Sequence, residues 1–376
     1  MTYDVIIVGA GSMGMAAGYY LSKQSKHVLL LDSHDPPHEQ GSHHGETRII
    51  RHAYGEGNSY VPMALRSQEL WLELQEVAKE KLFIPTGVLN VAQPHSSFIK
   101  NVIKSADFYS LALEKLTAEQ INKKWKGFNV SNDLVGYFES KSGVLFSEAC
   151  IQSYRDLAMG NGAVLKSNIR VESVKINDEG NVTVKTNEGE YQGNNLVLTA
   201  GKGMNNLLHM LKLKLPLLPV RKTFSWFHSE ESIYNSFNFP AFAFDVPTGI
   251  YYGFPSIEGA GVKIGRHDSG HPVTAGKNLE EFGYYPEDEE EVCRFSEKVM
   301  SSAMNHKLGK TCTYMNTPDG DFVIDNHPNY QNVFIACGFS GHGFKFSSVV
   351  GEIISQLIID GKTQFDLTPF SIGRFN

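Results

Sequence analysis

The chain has 376 residues, of which 41% are hydrophobic and 20% charged, as is typical of a soluble globular protein with about two domains. The formal net charge of −7 argues against a nucleic-acid-binding protein, because such a protein needs a basic face. Four cysteines are too few for a disulfide framework, no apolar run reaches the ~18–20 residues of a membrane span, and no signal peptide is recognisable, so we expect a cytoplasmic protein.

The first 32 residues predict a strand–turn–helix–strand unit that binds a dinucleotide. The apolar run Val5–Val8 predicts a buried parallel strand, and Gly9, Gly11 and Gly14 follow it as G-x-G-x-x-G. The second strand, "HVLLLD", ends at Asp32, 18 residues after Gly14. The glycines permit a tight turn, close approach of a pyrophosphate and close helix packing, while the acid accepts a ribose hydroxyl. The pattern does not distinguish FAD from NAD.

The middle of the chain predicts alternating loops, helices and strands. Residues 33–60 form a loop rich in Pro, Gly and His, and loops of that length are usually functional or disordered. An amphipathic helix is predicted over 61–82 and a β-meander over 171–199. Residues 218–320 are mostly strands, interrupted by the acidic stretch "YYPEDEEEVCRF", which we interpret as the solvated start of a helix.

The C-terminal region repeats the strand–turn–helix pattern. Val333–Ala336 predict a buried strand, the Gly-rich turn 338–343 follows it, and a helix comes next. The economical architecture is a first domain built from both ends of the chain, with a second domain inserted. The predicted boundaries are 1–83, 147–217 and 321–376 for the dinucleotide-binding domain, and 84–146 and 218–320 for the substrate domain.

The stretch "GSHHGETRIIRH" concentrates cations and histidines. It contains His43, His44, Arg48, Arg51 and His52. Adjacent histidines point in different directions and no Asp or Cys ligands accompany them, so we predict no metal site. Arginines at i and i+3 suit recognition of a carboxylate or phosphate better. The alternative is that they are surface arginines of a mobile loop.

Two further segments have features of a site. "GFSGHGFKF" offers backbone N–H groups at a helix start together with Lys345, and such a positive end would stabilise the charge on a reduced flavin. In "VKIGRH", Lys263, Gly265 and His267 share one face of a predicted strand. A lysine facing a site interior is costly unless it has a partner or a function. The alternatives are a plain connector and a solvated strand face.

Several enzyme classes lack support from sequence motifs. The chain has no G-x-S-x-G, HExxH or P-loop motif, which argues against acyl transfer, zinc proteolysis and phosphoryl transfer.

Cys312 is isolated, since Cys337 lies 25 residues on, which is neither a zinc nor a CxxC spacing. From the residues alone, Cys312 is either a small core residue or a functional one.

Long motifs of the chain resemble those of the monomeric sarcosine oxidase family, with its near relative N-methyltryptophan oxidase. The similarity runs from about residue 3 to the C-terminus and includes the glycine fingerprint, "GSHHGETRIIRHAYGEG", "GIYYGFP", "KIGRH", the Cys312 segment and "GFSGHGFKFSS". Family members are FAD-dependent oxidases that oxidise the N-methyl group of secondary amino acids. They consume water and O2 and yield the primary amino acid, formaldehyde and hydrogen peroxide.

The resemblance implies an α/β fold. It would have a Rossmann-like FAD-binding domain of the glutathione-reductase/hydroxylase type and an inserted mixed-sheet substrate domain. It also implies an enzyme that acts as a monomer on a small N-methyl amino acid and O2, with no nucleic-acid or membrane partner.

The resemblance further implies roles for individual residues. Cys312 matches the cysteine that carries FAD through an 8α-S-cysteinyl bond, and Arg51 and Lys345 match the pair that binds the substrate carboxylate. Lys263 and Arg48 match residues that flank the flavin ring, and the lysine is implicated in activating O2. The residues with an implied catalytic role are Lys263, Arg48, His267 and Tyr314. Tyr252 is implied to line the substrate cavity. The residues implied to bind the cofactor are Gly9, Gly11, Ser12, Met13, Gly14, Asp32, His43, His44, Thr47, Arg48, Cys312, Gly341, Gly343, Phe344 and Lys345.

The implied reaction is transfer of a hydride equivalent from the N-methyl carbon to flavin N5. Sarcosine is favoured as substrate because "AFAFDVPTGIYYGFP" resembles the sarcosine oxidase version, whereas "PVRKTFSWF" and "FDLTPFSIGRF" resemble the tryptophan enzyme. We expect Ala243 and Phe244 to line the cavity walls. Rival hypotheses are an NAD-dependent dehydrogenase, a flavoprotein hydroxylase or reductase that uses NAD(P)H, and a non-enzymatic flavin-binding module.

Overall fold

The computed structural model describes residues 2–273, 279–302 and 304–375. The strands, in chain order, are β1 (Thr2–Val8), β2 (Val28–Leu31), β3 (Thr47–Ile50), β4 (Phe83–Ile84), β5 (Val88–Ala92), β6 (Glu114–Thr117), β7 (Val135–Glu139), β8 (Gly143–Phe146), β9 (Val164–Lys166), β10 (Val171–Ile176), β11 (Val182–Thr186), β12 (Gly189–Leu198), β13 (Leu218–Phe227), β14 (Ala241–Val246), β15 (Gly249–Phe254), β16 (Val262–Arg266), β17 (His271–Pro272), β18 (His306–Asn316), β19 (Val323–His327) and β20 (Tyr330–Cys337). The helices are α1 (Ser12–Lys23), α2 (Val61–Val77), α3 (Ser97–Tyr109), α4 (Ala118–Lys124), α5 (Ser147–Gly160), α6 (Met204–Met210), α7 (Glu231–Tyr234), α8 (Glu287–Val299) and α9 (Ser347–Asp360).

The first sheet contains strands from both ends of the chain. Its order is β10-β11-β12-β1-β2-β9, with β20 beside β12 and β19 beside β20. β1 runs parallel to β2 and β12, and β20 runs parallel to β12. The parallel strands of this sheet, in the order β9-β2-β1-β12-β20, with β1 leading through a Gly-rich turn into a helix, confirm the predicted Rossmann-like unit.

Helices cover the first sheet at close range. α1 packs against α5 and α9, the helix of the predicted C-terminal unit. A Cβ added at Gly351 in α9 would lie 2.6 Å from the backbone carbonyl carbon of Ala16 in α1, so glycine permits this close approach. The two ends of the chain are thereby joined in one core. The exact domain boundaries remain a prediction.

The second sheet is the predicted inserted mixed sheet. Its order is β17-β13-β16-β15-β14-β5-β7-β6, and β18 pairs with β13. β14 and β5 are parallel, whereas β13 pairs antiparallel with both β16 and β18. A small third sheet, β3-β8-β4, shows that the long loop at 33–60 contains a strand. β3 carries Arg48, so this strand brings the cationic stretch to the site.

The acidic stretch begins a helix, as predicted, but it is not uniformly solvated. Asp288 in the first turn of α8 is only 4% exposed. Its carboxylate accepts two hydrogen bonds from Arg221 of β13, at 2.7 and 2.6 Å. The sequence cannot distinguish Asp288 from its acidic neighbours, because its partner lies 67 residues away.

Among the described residues, no helix has both the length and the apolar character needed to cross a membrane.

Candidate active site

The turn between β1 and α1 has the geometry of a dinucleotide site. Gly9 has φ +97°, and a Cβ there would lie 2.5 Å from the Ala200 Cα. At Gly14 a Cβ would lie 2.0 Å from the Gly9 carbonyl oxygen, so both positions require glycine. A Cβ at Gly11 would meet nothing closer than 3.6 Å, which leaves room for a ligand beside the backbone. Ser12 and Met13 open α1, where the positive end of a helix favours a phosphate.

Asp32 lies beside this turn at the end of β2. Its carboxylate accepts hydrogen bonds from the backbone N–H groups of Ala10 at 2.7 Å and His34 at 2.9 Å, and contacts a ring nitrogen of His38 at 3.3 Å. Burial alone raises the pKa of Asp32, but these hydrogen bonds outweigh it and hold the pKa below its usual value. The side chain is therefore an ionised acceptor, as binding of a ribose hydroxyl requires.

The loop after β2 brings two buried histidines to the site. Burial lowers the pKa of His43 to about 3, and burial together with Arg48 lowers the pKa of His44 to about 4, so both rings are neutral. Both ring nitrogens of His44 are buried and have no hydrogen-bond partner within the described part of the chain. An unpartnered ring of this kind indicates that a ligand with its own polar groups belongs there, and FAD fits this requirement.

One face of the second sheet carries four residues that the resemblance places at the flavin or in the substrate cavity: Lys263, Cys312, Tyr314 and Tyr252. The strand register places Tyr252 opposite Gly265 and Phe254 opposite Lys263, while Trp226 lies on the other side of Lys263. Cys312 and Tyr314 share this face of β18, since they are two residues apart. Four strands thus bring together residues that are spread over positions 226–314 of the sequence.

Lys263 lies buried against the loop that contains Thr47. Its Nζ donates hydrogen bonds to the carbonyl oxygens of Gly45 at 2.6 Å and Thr47 at 3.0 Å. The ammonium also lies 4.1 Å from the centroid of the Phe254 ring. Burial, and next the nearby Arg48, lower the pKa of Lys263 well below its usual value. The sequence prediction that this lysine faces a site and has partners is consistent with these contacts.

Arg48 is fixed by backbone acceptors. Its guanidinium donates to the carbonyl oxygens of Thr47 at 2.7 Å, Ser42 at 2.8 Å and His44 at 2.7 Å. The Ser42 hydroxyl in turn donates to the carbonyl oxygen of Thr313, next to Cys312. This loop therefore holds a positive charge close to the strand that bears the cysteine.

Arg51 is buried and paired with a carboxylate of its own chain. Its Nη2 donates to both oxygens of Glu56 at 2.7 Å, and its guanidinium carbon lies 4.7 Å from the Tyr54 ring centroid. Burial raises the pKa of Glu56, but the surrounding cations, Arg51 foremost, lower it to about 2. Arg51 thus holds a carboxylate through a single nitrogen, whereas its Nη1 donates to the carbonyl oxygen of Ala53 at 3.5 Å; its role in binding a substrate carboxylate stays a prediction.

Lys345 lies on the same side of the site as Arg51. Its Nζ donates to the Tyr54 hydroxyl at 3.0 Å and to the His342 carbonyl oxygen at 2.7 Å. Burial, and next the positive charge of Arg51, lower the pKa of Lys345 to about 7. The Tyr54 hydroxyl also contacts the His342 ring at 2.9 Å. Two cations of separate loops are thus held within one electrostatic cluster.

Aromatic and glycine residues lie between the sheet face that carries Cys312 and the Gly-rich turn that precedes Lys345. The His267 and Tyr314 rings are 5.5 Å apart. A Cβ at Gly341 would lie 2.0 Å from the Tyr314 ring, so the Gly-rich turn packs directly on that tyrosine. Burial raises the pKa of Tyr252 to about 12 and lowers that of His267 to about 4, so both are neutral at pH 7.

Two residues of the Gly-rich segment lie away from this centre. The Phe344 ring stacks on Trp71 with centroids 6.0 Å apart, inside the core of the first domain, and a Cβ at Gly343 would face Phe339. Any contact that they make with a cofactor is through the backbone.

The expectation that Phe244 lines the cavity is wrong. In β14, Ala243 pairs with Tyr252 and therefore lies on the site face, whereas Phe244 pairs with Tyr251 on the opposite face. Phe244 packs there on Phe295 of α8, with ring centroids 5.4 Å apart. The alternation of a strand allows only one of the two neighbours to face the cavity.

Sequence reasoning missed several residues that build the site. Glu56 and Tyr54 lie in the stretch "AYGEG", but nothing in the sequence pattern indicated a function for either of them. Glu148 accepts hydrogen bonds from the backbone N–H groups of Gly45 at 2.7 Å and of the next residue at 3.1 Å. Lys222 was also missed, although its alternation with aromatic residues in "KTFSW" is a detectable pattern for a charged residue on a strand face.

A glycine turn with a neighbouring acid, an unpartnered histidine and cations lining a sheet face fit a dinucleotide-dependent oxidoreductase, and FAD is the dinucleotide that the family comparison supports. The residues that would hold FAD are the turn around Gly11, Asp32, His44, Arg48 and Cys312. Sequence comparison agrees, because the family described as FAD dependent oxidoreductase matches residues 4–357.

The chain is 50% identical over 376 residues to the monomeric sarcosine oxidase of Bacillus sp. (strain NS-129), covering 99% of this chain and 97% of that protein. It is 42% identical over 377 residues to N-methyl-L-tryptophan oxidase of Escherichia coli (strain K12), covering 100% of both. The chain belongs to the family of FAD-dependent oxidoreductases that contains these two enzymes.

Solved structures with low sequence identity share the fold. L-proline dehydrogenase from P. horikoshii matches with a TM-score of 0.89 at 21% identity, covering 100% of this chain and 98% of that chain. Glycine oxidase from Geobacillus kaustophilus matches with a TM-score of 0.83 at 18% identity, covering 99% and 98%. At such identities the similarity establishes the fold alone.

Proposed function

We propose that this protein is an FAD-dependent oxidase that demethylates sarcosine and related secondary amino acids to glycine or its analogue, formaldehyde and hydrogen peroxide. The observation that carries the proposal is the buried pair Arg51 and Lys345, whose charged groups lie 4.7 and 5.1 Å from the centroid of the same ring, that of Tyr54. The 50% identity to a monomeric sarcosine oxidase supports this substrate class. The second candidate is N-methyl-L-tryptophan oxidation, which the 42% identity to that enzyme supports.

Further properties belong to the same proposal. We infer that FAD is bound covalently through Cys312, that the protein acts as a cytoplasmic monomer, and that the domain boundaries are those predicted from sequence. The membership of β1 and β20 in one sheet supports a discontinuous FAD domain. The buried position of Cys312 beside Arg48 and Lys263 supports an attachment site rather than an exposed reactive thiol.

In the proposed mechanism the protein residues bind, orient and exclude water. Bound FAD supplies the two-electron acceptor. Arg51 and Lys345 bind the substrate carboxylate, and this contact orients the N-methyl group within the cavity lined by His267, Tyr314 and Tyr252. His267 is neutral at pH 7 because burial lowers its pKa to about 4, so it does not repel a substrate cation. The substrate amine must be neutral to donate electrons, and activity should therefore rise with pH through the pKa of the bound amine.

The substrate assignment is tested by measuring peroxide from sarcosine, N-methylalanine, proline and N-methyltryptophan under identical conditions. We expect the highest kcat/KM with sarcosine, with one formaldehyde formed per peroxide. Anaerobic addition of NADH or NADPH should leave the flavin oxidised, because the proposed enzyme takes its electrons from the amine substrate and not from a pyridine nucleotide. Peroxide from N-methyltryptophan alone would establish the second candidate, and no peroxide from any of the four would contradict both.

Replacing Arg51 with Ala should weaken carboxylate substrates and carboxylate inhibitors to the same extent. A hydrogen bond to a charged group contributes about 1.5–3 kcal/mol, so we expect affinity to fall roughly 10- to 150-fold. The measurement is the dissociation constant of a small carboxylic acid, taken from its perturbation of the flavin absorbance, together with KM for sarcosine.

The matched control is Glu56→Gln, which removes the internal carboxylate that Arg51 binds. It should tighten the same inhibitor, because the incoming carboxylate no longer competes with a charged partner. An Arg51→Ala protein with unchanged inhibitor affinity would remove Arg51 from the substrate site.

A further inference from the structure

A buried lysine outside the proposed mechanism lies directly across from Cys312. β13 and β18 pair antiparallel, and their register places Lys222 opposite Cys312. Residues opposite each other in such a pair have Cβ atoms ~4.5–5.5 Å apart and share one face of the sheet. Lys222 is 4% exposed and Cys312 is 2% exposed. A buried ammonium and a buried thiol are therefore cross-strand neighbours.

Lys222 is held by neutral groups. Its Nζ donates to the carbonyl oxygen of His267 at 2.7 Å and to that of Ser269, and it lies 5.1 Å from the Tyr314 ring centroid. Within residues 2–273, 279–302 and 304–375, no carboxylate oxygen is found within 4.0 Å of it. Its neighbour Arg221, on the opposite face, is by contrast paired with Asp288. Lys222 therefore lies on the same sheet face as Cys312, with carbonyl oxygens rather than a carboxylate as the acceptors of its ammonium group.

The electrostatic surroundings of Cys312 are dominated by cations. Burial raises the pKa of the Cys312 thiol above its ordinary value, and the nearby positive charges, those of Arg48 and Lys222 foremost, offset only part of this effect. Burial lowers the pKa of Lys222 to about 8, so at pH 7 most of the side chain is still charged. The charged groups that act on this pair from the surrounding elements are Arg48 of β3, Lys263 and Arg266 of β16, Arg221 of β13, Asp268 of the following turn and Glu291 of α8. The titratable phenols of Tyr252 and Tyr314 face the same space.

We propose that Lys222 is a positioning residue for bond formation at Cys312: its ammonium group stabilises the thiolate that attacks the 8α carbon of FAD. The inference rests on the proposed attachment of FAD at this cysteine. In this step the S–H and one C–H bond of the 8α methyl group break with loss of two protons, a sulfur–carbon bond forms, and the electron pair passes to the flavin ring. O2 accepts the two electrons and both protons and leaves as hydrogen peroxide.

The register explains why Lys222 suits this function. Arg48 and Lys263 hold their charges against backbone carbonyls of the loop at 42–47, which also borders the proposed flavin site. Lys222 approaches Cys312 instead from the neighbouring strand of the same sheet, whose backbone hydrogen bonds fix the pair. A thiol needs a positive neighbour to become a nucleophile near neutral pH, because its ordinary pKa is about 8.5.

The test compares Lys222→Gln, Lys222→Met and Lys222→Arg in the full-length protein. Flavin-free chain is mixed with FAD in air between pH 6 and pH 9, and the covalently retained flavin is followed by its fluorescence on a denaturing gel. FAD absorbance before denaturation measures binding separately. One pKa unit of the thiol is a tenfold change in thiolate, so at pH 7 we expect both neutral variants to attach FAD about tenfold more slowly. The difference between the wild type and the neutral variants should shrink above about pH 8, because Lys222 itself loses its charge there, and Lys222→Arg should approach the wild-type rate at pH 7.

Lys222→Gln separates charge from tethering. Gln can still donate to the His267 or Ser269 carbonyl oxygen but carries no charge, so a slow Lys222→Gln protein supports the inference. If Lys222→Met fails to bind FAD, the attachment rate of Lys222→Gln alone still tests the inference. The matched control is Lys310→Met, which removes a cation two residues from Cys312 on the same strand face, where Glu39 pairs with it at the surface. Its attachment rate should equal that of the wild type.

Three outcomes would overturn the inference. The first is attachment at the wild-type rate in Lys222→Gln, and the second is equal slowing in Lys222→Arg and Lys222→Gln. The third is equal slowing in Lys310→Met, which would indicate a general loss of positive charge. A wild-type protein that binds FAD but never retains it after denaturation would contradict the proposed attachment itself, and the role of Lys222 with it.

Discussion

Replacing Lys263 with Met should slow the reaction of the reduced enzyme with O2 by about 10²–10³-fold, the usual cost of losing one fixed charge or donor at a developing anion. Reduction by the amine should change far less. The ammonium is held beside the aromatic wall by the carbonyls of Gly45 and Thr47, so its charge is in place before superoxide-like charge develops. Stopped-flow measurement of the two half-reactions separates the effects.

The pH dependence of the O2 reaction gives a second readout of the same residue. Burial and the neighbouring Arg48 lower the pKa of Lys263, so its positive charge is lost at a lower pH than that of an exposed lysine. The O2 reaction of the wild type should therefore slow as pH rises through this lowered pKa, and that dependence should disappear in Lys263→Met. The control is Lys263→Arg, which keeps the charge. An equal loss in both half-reactions would contradict the role in O2 activation.

The dinucleotide turn could be predicted from sequence because its parts are neighbours in the chain. Gly9, Gly11 and Gly14 act within six residues, and Asp32 returns to the turn at the end of the next strand. The close approaches at Gly9 and Gly14 are consequences of that local geometry. The C-terminal strand, turn and helix were predicted for the same reason. What the local pattern leaves open is that β20 pairs with β12 rather than with β1.

The sheet face of the site could not be derived from local patterns. That Lys263 lies between Phe254 and Trp226 follows from the pairing of three strands, and residue spacing carries no information about such long-range register. The resemblance supplied roles for residues such as Lys263 and Cys312. It could not supply the partner of Arg51, because Glu56 looks like any other acid of a Gly-rich loop until the fold brings its carboxylate to the guanidinium.

Replacing Cys312 with Ser should abolish covalent flavin while leaving the fold intact. The two side chains differ by one atom, and the buried position on β18 keeps its backbone pairing with β13 in either case. Wild-type protein precipitated with acid should stay yellow, and the Cys312→Ser protein should lose its colour to the supernatant. Oxidase activity should fall strongly, because a sulfur substituent makes the flavin a stronger oxidant and its loss reverses that gain.

Cys337 provides the matched control for this experiment. It lies on the same tryptic peptide as Cys312, which begins at Thr311, and it is equally buried at 2% exposure. It belongs to β20 of the first sheet, however, and burial raises the pKa of its thiol to about 12 although Arg374 opposes this effect. Cys337→Ser should therefore keep the flavin. In mass spectrometry the wild-type peptide should be heavier by FAD minus two hydrogen atoms, and fragmentation should place the added mass on Cys312. An unmodified peptide from fully active enzyme would contradict the attachment, because activity would then come from FAD held by the glycine turn, Asp32 and the histidine loop alone.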